Sequence, residues 1–381
     1  MVYGIIDVRE WQTTINLETG RKCEIDNEII SLAKDIISRN YYPGDLDSKS
    51  IEWIKDVALE VNNAYEPDFM FMNFAQPYFM SCFKQVSANE WHKMIDHIFD
   101  SIKIFLDESG FIPVIVGLGN TIPLIDYIDL SNLDGIALCG GMSACYGGLF
   151  DASPDDIKYL EHTPGIKRVV SKQKFIEQFG GSPDFIRRFP DYILEAEKGY
   201  SLKAYGATTR PIYKVSAKHE TIPVYTPLCS KDLNCITRIK RLIEKNLANK
   251  NKVALIIIEG IGTKEFKFPY TMCSNKTNWY AYDDTHSQYL AITTGKHFQY
   301  HDFPPGYKYF LEDGKDKKYP FSGPFDKLPQ DTIGSRLNIK SAAVGSRSIL
   351  THLAGGADIS IESLARMLYN HGAMAVINQK G

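Results

Sequence analysis

The chain has 381 residues, of which 44% are hydrophobic and 23% are charged, and its formal net charge is −3. This length suits one large domain with insertions or two domains, and the near-neutral charge without a basic run argues against a surface for nucleic acid. The longest apolar runs, such as residues 253–258, are too short to span a bilayer, so we expect no membrane partner.

Short apolar runs alternate with longer amphipathic segments, the pattern expected of βαβ units. The runs 112–117 and 253–259 are almost entirely apolar, as strands buried on both faces are. The predicted strands are 2–8, 68–74, 112–117, 134–139, 191–196, 222–225 and 253–259. The alternation predicts an α/β fold with a doubly wound, largely parallel sheet and helices on both faces.

Five segments are predicted to be helices: 26–39, 48–64, 87–108, 232–248 and 359–370. The third begins at Ser87 with Glu90 three residues later, which is the spacing of a capping box. Asp26 is the expected N-cap of the first helix, and Asp47 or Ser48 that of the second.

Two stretches interrupt the alternation and divide the chain. Residues 1–150 are predicted to form the first part of an α/β core, 151–220 an inserted small region, and 221–381 the second part of the core. Within the last part, 299–336 is rich in Pro, Gly, Tyr, Phe and Lys, and long ordered loops usually cover a site or a partner surface. A homo-oligomer formed through this aromatic-rich stretch is one interpretation.

Seven cysteines are scattered along the chain without a CxxC pair. An odd, irregular set of this kind indicates buried thiols in a reducing compartment. The first residues lack a basic segment followed by a long apolar stretch, so no signal peptide is predicted. We therefore expect a cytoplasmic protein.

The segment from the 253–259 run to His301 carries the strongest chemical signal. Glu259 leaves the carboxyl end of a buried strand, which is where open α/β folds place their ligands. Residues 285–294 are predicted as a helix that begins at Thr285 and ends at Gly295. A hydroxyl at a helix N-terminus lies beside free N–H groups and suits a phosphate-bearing adduct, although Thr285 also fits a simple N-cap.

The order and spacing of these residues resemble those of the alkaline-phosphatase-like superfamily, in particular its type I phosphodiesterase/nucleotide pyrophosphatase branch. That family has an apolar strand ending in Asp-Gly, then a nucleophilic Thr or Ser ten residues before the Gly of a Thr-Gly pair, then a His. Here Glu259-Gly260 resembles the first element, Thr285 stands ten residues before Gly295, and His301 lies near the following His. The resemblance implies that Thr285 is a nucleophile and Glu259 a metal ligand or general base.

A second likeness lies in the N-terminal half. Residues 67–74, 87–108 and 112–120 resemble the later strand, helix and strand of that family, and 164–200 resembles its small insertion, followed by a metal-binding His for which His219 is the nearest candidate. The elements would then occur in permuted order, which is allowed where termini lie close together.

The departures from the family concern the metal ligands. Asn73 stands where the family has Asp, and 117–120 (Gly-Leu-Gly-Asn) stands where it has Asp-His-Gly. The resemblance therefore implies no intact two-zinc site. It leaves room for one divalent metal (Zn, Mn or Mg), for which the candidate ligands are Glu259, Asp283, Asp284, His286, His297, His301 and His219. The competing interpretation is that these are solvated loop residues.

Two glycine-containing segments are further candidate sites. Residues 117–120 fit either a glycine-rich phosphate turn, as in a Rossmann-like nucleotide binder, or a tight turn between strand and helix. Cys145, in the small-residue run 140–148, fits a buried structural thiol better than a nucleophile.

Residues 343–358 concentrate polar side chains in an apolar, Gly-containing stretch. Arg347 could hold a phosphate or carboxylate in bidentate fashion, with Ser346 and His352 as further substrate-binding residues. The alternative pairs Arg347 with Asp358 or Glu362.

The leading hypothesis is a divergent phosphoester-processing hydrolase with an alkaline-phosphatase-like core, a reduced metal site and a small anionic ligand. The rival hypothesis is a non-catalytic relative that binds a small anionic ligand or a protein partner.

Overall fold

The computed structural model describes residues 2–5, 14–16, 22–24, 28–139, 144–203, 211–217, 220–228, 232–275, 284–301, 331–347, 351, 355–364 and 372–378. Within these ranges, residues 2, 3, 138, 184, 188, 284–287 and 298 are described by their backbone alone.

The strands, in chain order, are β1 Val2–Ile5, β2 Thr14–Asn16, β3 Phe69–Phe74, β4 Ile112–Pro123, β5 Asp126–Asp129, β6 Ile136–Cys139, β7 Tyr146–Phe150, β8 Ile166–Ser171, β9 Tyr192–Ala196, β10 Tyr200–Lys203, β11 Lys214–Ser216, β12 Thr221–Tyr225, β13 Val253–Gly260, β14 Thr271–Ser274, β15 Ser341–Gly345, β16 Ile359–Leu364 and β17 Gly372–Asn378. The helices are α1 Glu28–Arg39, α2 Lys49–Tyr65, α3 Gln76–Phe83, α4 Ala88–Ser109, α5 Pro154–Glu161, α6 Lys172–Phe179, α7 Pro183–Arg188, α8 Ile239–Ala248 and α9 Asp284–Thr294.

One large sheet dominates the described part of the chain. Its strands run in the order β14-β12-β4-β13-β3-β15-β16-β17-β1-β2, with β11 paired to β4. The five central strands, from β4 to β16, are mutually parallel. The strands outside them are antiparallel to their neighbours.

Helices cover both faces of this sheet. Successive side chains of a strand point to opposite faces, so each central strand contributes to two cores. In β13, Ala254, Ile256 and Ile258 belong to the core under α1, α2 and α4. Val253, Leu255 and Ile257 belong to the core under α8 and α9. All eight residues of β13 are buried, as its apolar run predicts. The predicted doubly wound α/β fold with a largely parallel centre is confirmed.

The starts of three helices can be compared with the sequence prediction. The capping box of α4 is present, since Ser87 accepts from the backbone N–H of Glu90 and the Glu90 carboxylate accepts from that of Ser87. At the start of α2, the Asp47 carboxylate accepts from the backbone N–H of Lys49 at 2.9 Å. Helix α8 begins at Ile239, after a 3-10 turn at Ile236–Arg238, and so starts later than the predicted 232.

The predicted helix 359–370 is wrong for its described part. Residues 359–364 form β16, which pairs in parallel with β15 and antiparallel with β17. The alternation of Ile359 and Ile361 with Ser360 and Glu362 has period two, and all four side chains are buried, which shows that both faces of the sheet are covered here. Residues 365–371 lie outside the description.

The predicted tight turn at 117–120 is also wrong, because β4 runs through it to Pro123. Gly119 has a φ of +105°, and the register between β4 and β13 shifts there. A Cβ at Gly117 would lie 2.7 Å from the carbonyl oxygen of Ile261. These glycines allow the chain after β13 to approach β4 closely, and they do not form a phosphate-binding turn.

A second, four-stranded sheet has the order β6-β7-β9-β8 and a core around Leu149, Leu160 and Leu194. It starts at Ile136, before the predicted beginning of the inserted region at 151; the three-part division of the chain stays a prediction. Cys145 is buried here, as expected of a structural thiol. No helix in the described ranges is long and apolar enough to cross a membrane.

Candidate functional site

Three adjacent parallel strands bring polar residues to one edge of the large sheet. Asn73 stands near the end of β3, in register with Ile257 of β13 and with Gly345 of β15. Glu259 follows in β13, and Ser346 and Arg347 follow β15 directly. The carboxyl edge of the parallel strands, where α/β folds bind their ligands, therefore carries this polar group.

Glu259 is the centre of the group. It is 1% exposed. Its Oε1 accepts from the Tyr289 hydroxyl at 2.7 Å and from Asn73 Nδ2 at 3.2 Å, and the Asn73 amide also contacts the Tyr289 hydroxyl. Its Oε2 lies 3.2 Å from Nε of Arg347. A buried carboxylate is tolerated when it is paired and hydrogen-bonded, and Glu259 meets both conditions.

Arg347 is held by charge and by aromatic rings. Its guanidinium carbon lies 5.2 Å from the ring centres of both Tyr78 and Phe79, within the range of a cation–π contact. The predicted alternative partner Asp358 lies at the other end of β15, where it accepts from the backbone N–H of Ser341 at 2.7 Å. Glu362, the second alternative, is in register with Gly345 at the same edge as Arg347.

Ser346 stabilises the turn between β3 and α3 by hydrogen bonds of its hydroxyl group. It is fully buried, and its hydroxyl accepts from the backbone N–H of Ala75 at 2.8 Å. The same hydroxyl lies 3.2 Å from Oε1 of Gln76 and 3.4 Å from the carbonyl oxygen of Asn73. Ser346 thereby fixes the backbone next to Arg347; its predicted role in substrate binding stays a prediction.

Helix α9 connects Glu259 to the predicted nucleophile. It begins at Asp284 and is followed by Gly295 with a φ of +71°, close to the predicted limits. Thr285 comes four residues before Tyr289, so helical periodicity places both on one face, one turn apart. The side chains of 284–287 lie outside the description, and the Thr285–Glu259 distance is therefore untested.

Of the predicted histidines, the structure describes the side chains of His297 and His301, and neither belongs to a group of three or more metal-ligating side chains in the described ranges. Nε2 of His301 lies 2.9 Å from the Thr294 hydroxyl, at the far end of α9 from Thr285. His297 is half-buried, and burial lowers its pKa. His219, His352 and Asp283, and the side chains of Asp284 and His286, lie outside the description.

A divalent metal does not fit the donor set that the structure describes. Within the described ranges, no group of three or more His, Cys, Asp or Glu side chains is arranged to hold a metal ion. Asn73 is a neutral ligand, and Oε2 of Glu259 already faces the positive charge of Arg347. A metal ion bound to Glu259 would repel that guanidinium at short range.

Tyr289, Gln76 and Asp45 belong to the site without having been predicted from the sequence. Asp45 is fully buried, and its Oδ1 accepts from the Tyr42 hydroxyl at 2.6 Å. Burial raises the pKa of Asp45 to about 7; the Tyr42 hydrogen bond and Arg347 lower it, and Glu259 raises it. An aspartate in a Pro-Gly-containing loop is usually solvated, so the sequence carried no signal for this carboxyl.

Comparisons with known proteins give a distant structural likeness. No family model and no curated protein matches the chain. Two crystal structures of phosphonoacetate hydrolase from Sinorhizobium meliloti 1021, in complex with phosphonoformate and with phosphonoacetate, align with a TM-score of 0.37 at 13% and 12% identity. The alignment covers 54% of this chain and 56% of that chain, so about half of each is compared. A likeness of this degree assigns neither family nor activity.

Proposed function

We propose that the carboxyl edge of the central strands binds a small phosphate-bearing anion and that the chain is a divergent phosphoester-processing hydrolase of the alkaline-phosphatase-like type. The observation that carries the proposal is the buried Glu259–Arg347 pair at this edge, hydrogen-bonded to Tyr289 one helical turn from Thr285. This pair places a cation suited to phosphate beside a carboxylate, and the carboxylate is hydrogen-bonded to the helix that contains the candidate nucleophile.

In this proposal Arg347 binds the phosphoryl oxygens. A guanidinium presents several N–H donors in a plane and matches phosphate geometry, and the rings of Tyr78 and Phe79 keep it from turning away. The amino end of α9 adds its positive dipole end. Both features favour an anion over a neutral ligand.

Thr285 is the proposed nucleophile. Its hydroxyl oxygen attacks phosphorus, the ester P–O bond breaks, and the leaving alkoxide takes a proton from water. Glu259 accepts the Thr285 proton once the incoming phosphate shares Arg347 with it. Hydrolysis of the phosphothreonine by water then regenerates the hydroxyl and releases phosphate, and Glu259 returns its proton to the solvent.

The second candidate is a non-catalytic protein that binds the same class of anion. It is favoured by the neutral Asn73 and by the guanidinium that already balances Glu259. Such a site recognises an anion without activating a nucleophile.

Turnover of bis(4-nitrophenyl) phosphate and 4-nitrophenyl phosphate separates the two candidates. For the hydrolase, Thr285→Ala lowers turnover at least 100-fold and Thr285→Ser retains part of it. Thr293→Val is the matched control, because the Thr293 hydroxyl bonds within α9 to the carbonyl oxygen of Tyr289. No turnover by the wild type, with retained binding of 4-nitrophenyl phosphate, would reject the hydrolase in favour of the binder.

A further inference from the structure

Several buried side-chain atoms at the carboxyl edge have no hydrogen-bond partner among the described residues. Three of them are Oδ2 of Asp45, Oδ1 of Asn73 and Nε2 of Gln76. All three residues are 0% exposed. Most buried polar atoms in folded proteins are hydrogen-bonded, so a concentration of exceptions at one place points to a missing ligand.

The three residues surround the base of Arg347. Ser346 contacts both the Asn73 carbonyl and the Gln76 amide, and it directly precedes Arg347. The loop containing Asp45 packs there as well, because its neighbour Leu46 contacts Ala75 and Phe79. The charges of Arg347 and Glu259 also influence the pKa of Asp45. The residues that carry the unpartnered atoms thus lie around the segment that carries the cation of the site.

Two of these three atoms can contact an anion, provided that Asp45 is protonated; Oδ1 of Asn73 is an acceptor and cannot. Nε2 of Gln76 is a donor and suits an anion oxygen. An ionised Asp45 would repel an anion, whereas its protonated form has an O–H group and becomes a second donor.

We infer that Asp45 and Gln76 complete the anion site beside Arg347, and that Asp45 carries a proton whenever an anion is bound. The inference rests on the proposed function only in the class of ligand. Asp45 acts as a binding residue, and its carboxyl group makes binding depend on pH.

Burial and the carboxylate of Glu259 favour such a proton, whereas two other neighbours oppose it. The phenol of Tyr42 donates to Oδ1, and the guanidinium of Arg347 attracts the ionised form. On the adjoining elements, the hydroxyls of Ser50 and Ser363 lie beside the phenol, and Glu362 precedes Ser363 at the end of β16. Burial is the largest influence and raises the pKa of Asp45 to about 7.

Inorganic sulfate is the probe, since it stays doubly charged from pH 5.5 to 9 and its own titration does not interfere. Isothermal titration should show uptake of about one proton per sulfate above neutral pH, with affinity falling about tenfold per pH unit there. Asp45→Asn replaces the carboxyl by a permanent donor. It should bind sulfate with the low-pH affinity of the wild type at every pH.

Three further variants sharpen the test. Tyr42→Phe removes a hydrogen bond that lowers the pKa of Asp45, so the midpoint should move to higher pH. Gln76→Leu should weaken sulfate binding equally at every pH. Asp47→Asn changes the net charge equally but alters a carboxylate that caps α2, and it should leave the profile unchanged.

The outcomes distinguish this inference from the proposed function. Sulfate binding that is independent of pH, or an Asp45→Asn variant that binds more weakly at every pH, overturns the inference and leaves the phosphoester proposal standing. The expected pH profile without turnover of any phosphoester supports the inference and rejects the hydrolase. Absence of sulfate binding at all pH values overturns both the inference and the proposed class of ligand.

Discussion

Glu259 and Arg347 meet across the end of β3: Oε2 and Nε lie 3.2 Å apart, although Glu259 belongs to β13 on one side of β3 and Arg347 follows β15 on the other. Asn73 of β3 lies beneath the pair and donates to the same carboxylate. The contact therefore joins three central strands at the edge where the ligand is proposed to bind.

Glu259→Gln should lower the free energy of unfolding by roughly 3 to 5 kcal/mol, because it removes an anionic partner from a guanidinium whose side chain is only 11% exposed. Denaturant unfolding at pH 7 measures the loss. Combining it with Arg347→Met should restore much of the stability. A matched control is Glu195→Gln, whose partners Lys167 and Arg168 are about half exposed and return to water. An equal loss in both variants would contradict the buried-pair explanation.

Tyr289→Phe should destabilise the protein by about 1.5 to 3 kcal/mol, since a hydrogen bond to a buried carboxylate is lost while the ring remains. Thermal and denaturant unfolding give the value. Tyr159→Phe, at a half-exposed tyrosine, serves as the comparison and should change stability little. If the two variants unfold alike, the Tyr289 hydroxyl does not hold Glu259.

Gly260→Ala should cost considerably more than Gly110→Ala. Both glycines have a positive φ, +75° and +71°, so the backbone strain is similar. A Cβ at Gly260 would lie 2.7 Å from the backbone nitrogen of Tyr78, whereas one at Gly110 meets nothing within 4 Å. The difference in unfolding free energy isolates the close approach of β13 to α3, and equal costs would show that this contact is unimportant.

Asp45→Asn should stabilise the protein at pH 8 and have little effect at pH 4. The folded-state pKa of Asp45, about 7, lies above its ordinary value of 3.8, so the folded protein holds the extra proton between these values. Wild-type stability should consequently fall as pH rises from about 4 to 7. Three pKa units correspond to about 4 kcal/mol, which is the upper limit for the gain at pH 8.

Unfolding of both proteins at intervals between pH 4 and 8 measures this gain. Two curves that stay parallel over that range would show that Asp45 does not titrate near neutrality.

The sequence predicted the fold where one signal dominates. The apolar runs that became β3 and β13 are buried on both faces, as expected of central strands in a parallel sheet. In 359–364, the alternation was too short to distinguish a strand from a helix, and pairing with β15 decided it. Strand order depends on contacts between distant segments, which residue patterns do not encode.

For the site, the position of a residue in its element could be predicted from the sequence, but the residues that it pairs with could not. Glu259 was predicted from its place at a strand end, and Arg347 from its place among polar residues, but their pairing was not foreseen. Asp45 and Gln76 escaped notice because an acid in a loop and an amide after a strand are ordinary until burial is known. Thr285 and the predicted metal ligands remain predictions.

The position of β3 has a consequence for synthesis on the ribosome. Both of its neighbours, β13 and β15, begin after residue 250, whereas β3 ends at Phe74. A nascent chain that stops before residue 253 exposes two unpaired apolar edges on β3, and such edges invite pairing with other chains. The centre of the sheet therefore closes only when the last third of the chain has been translated, and fragments cut before that point should aggregate rather than fold.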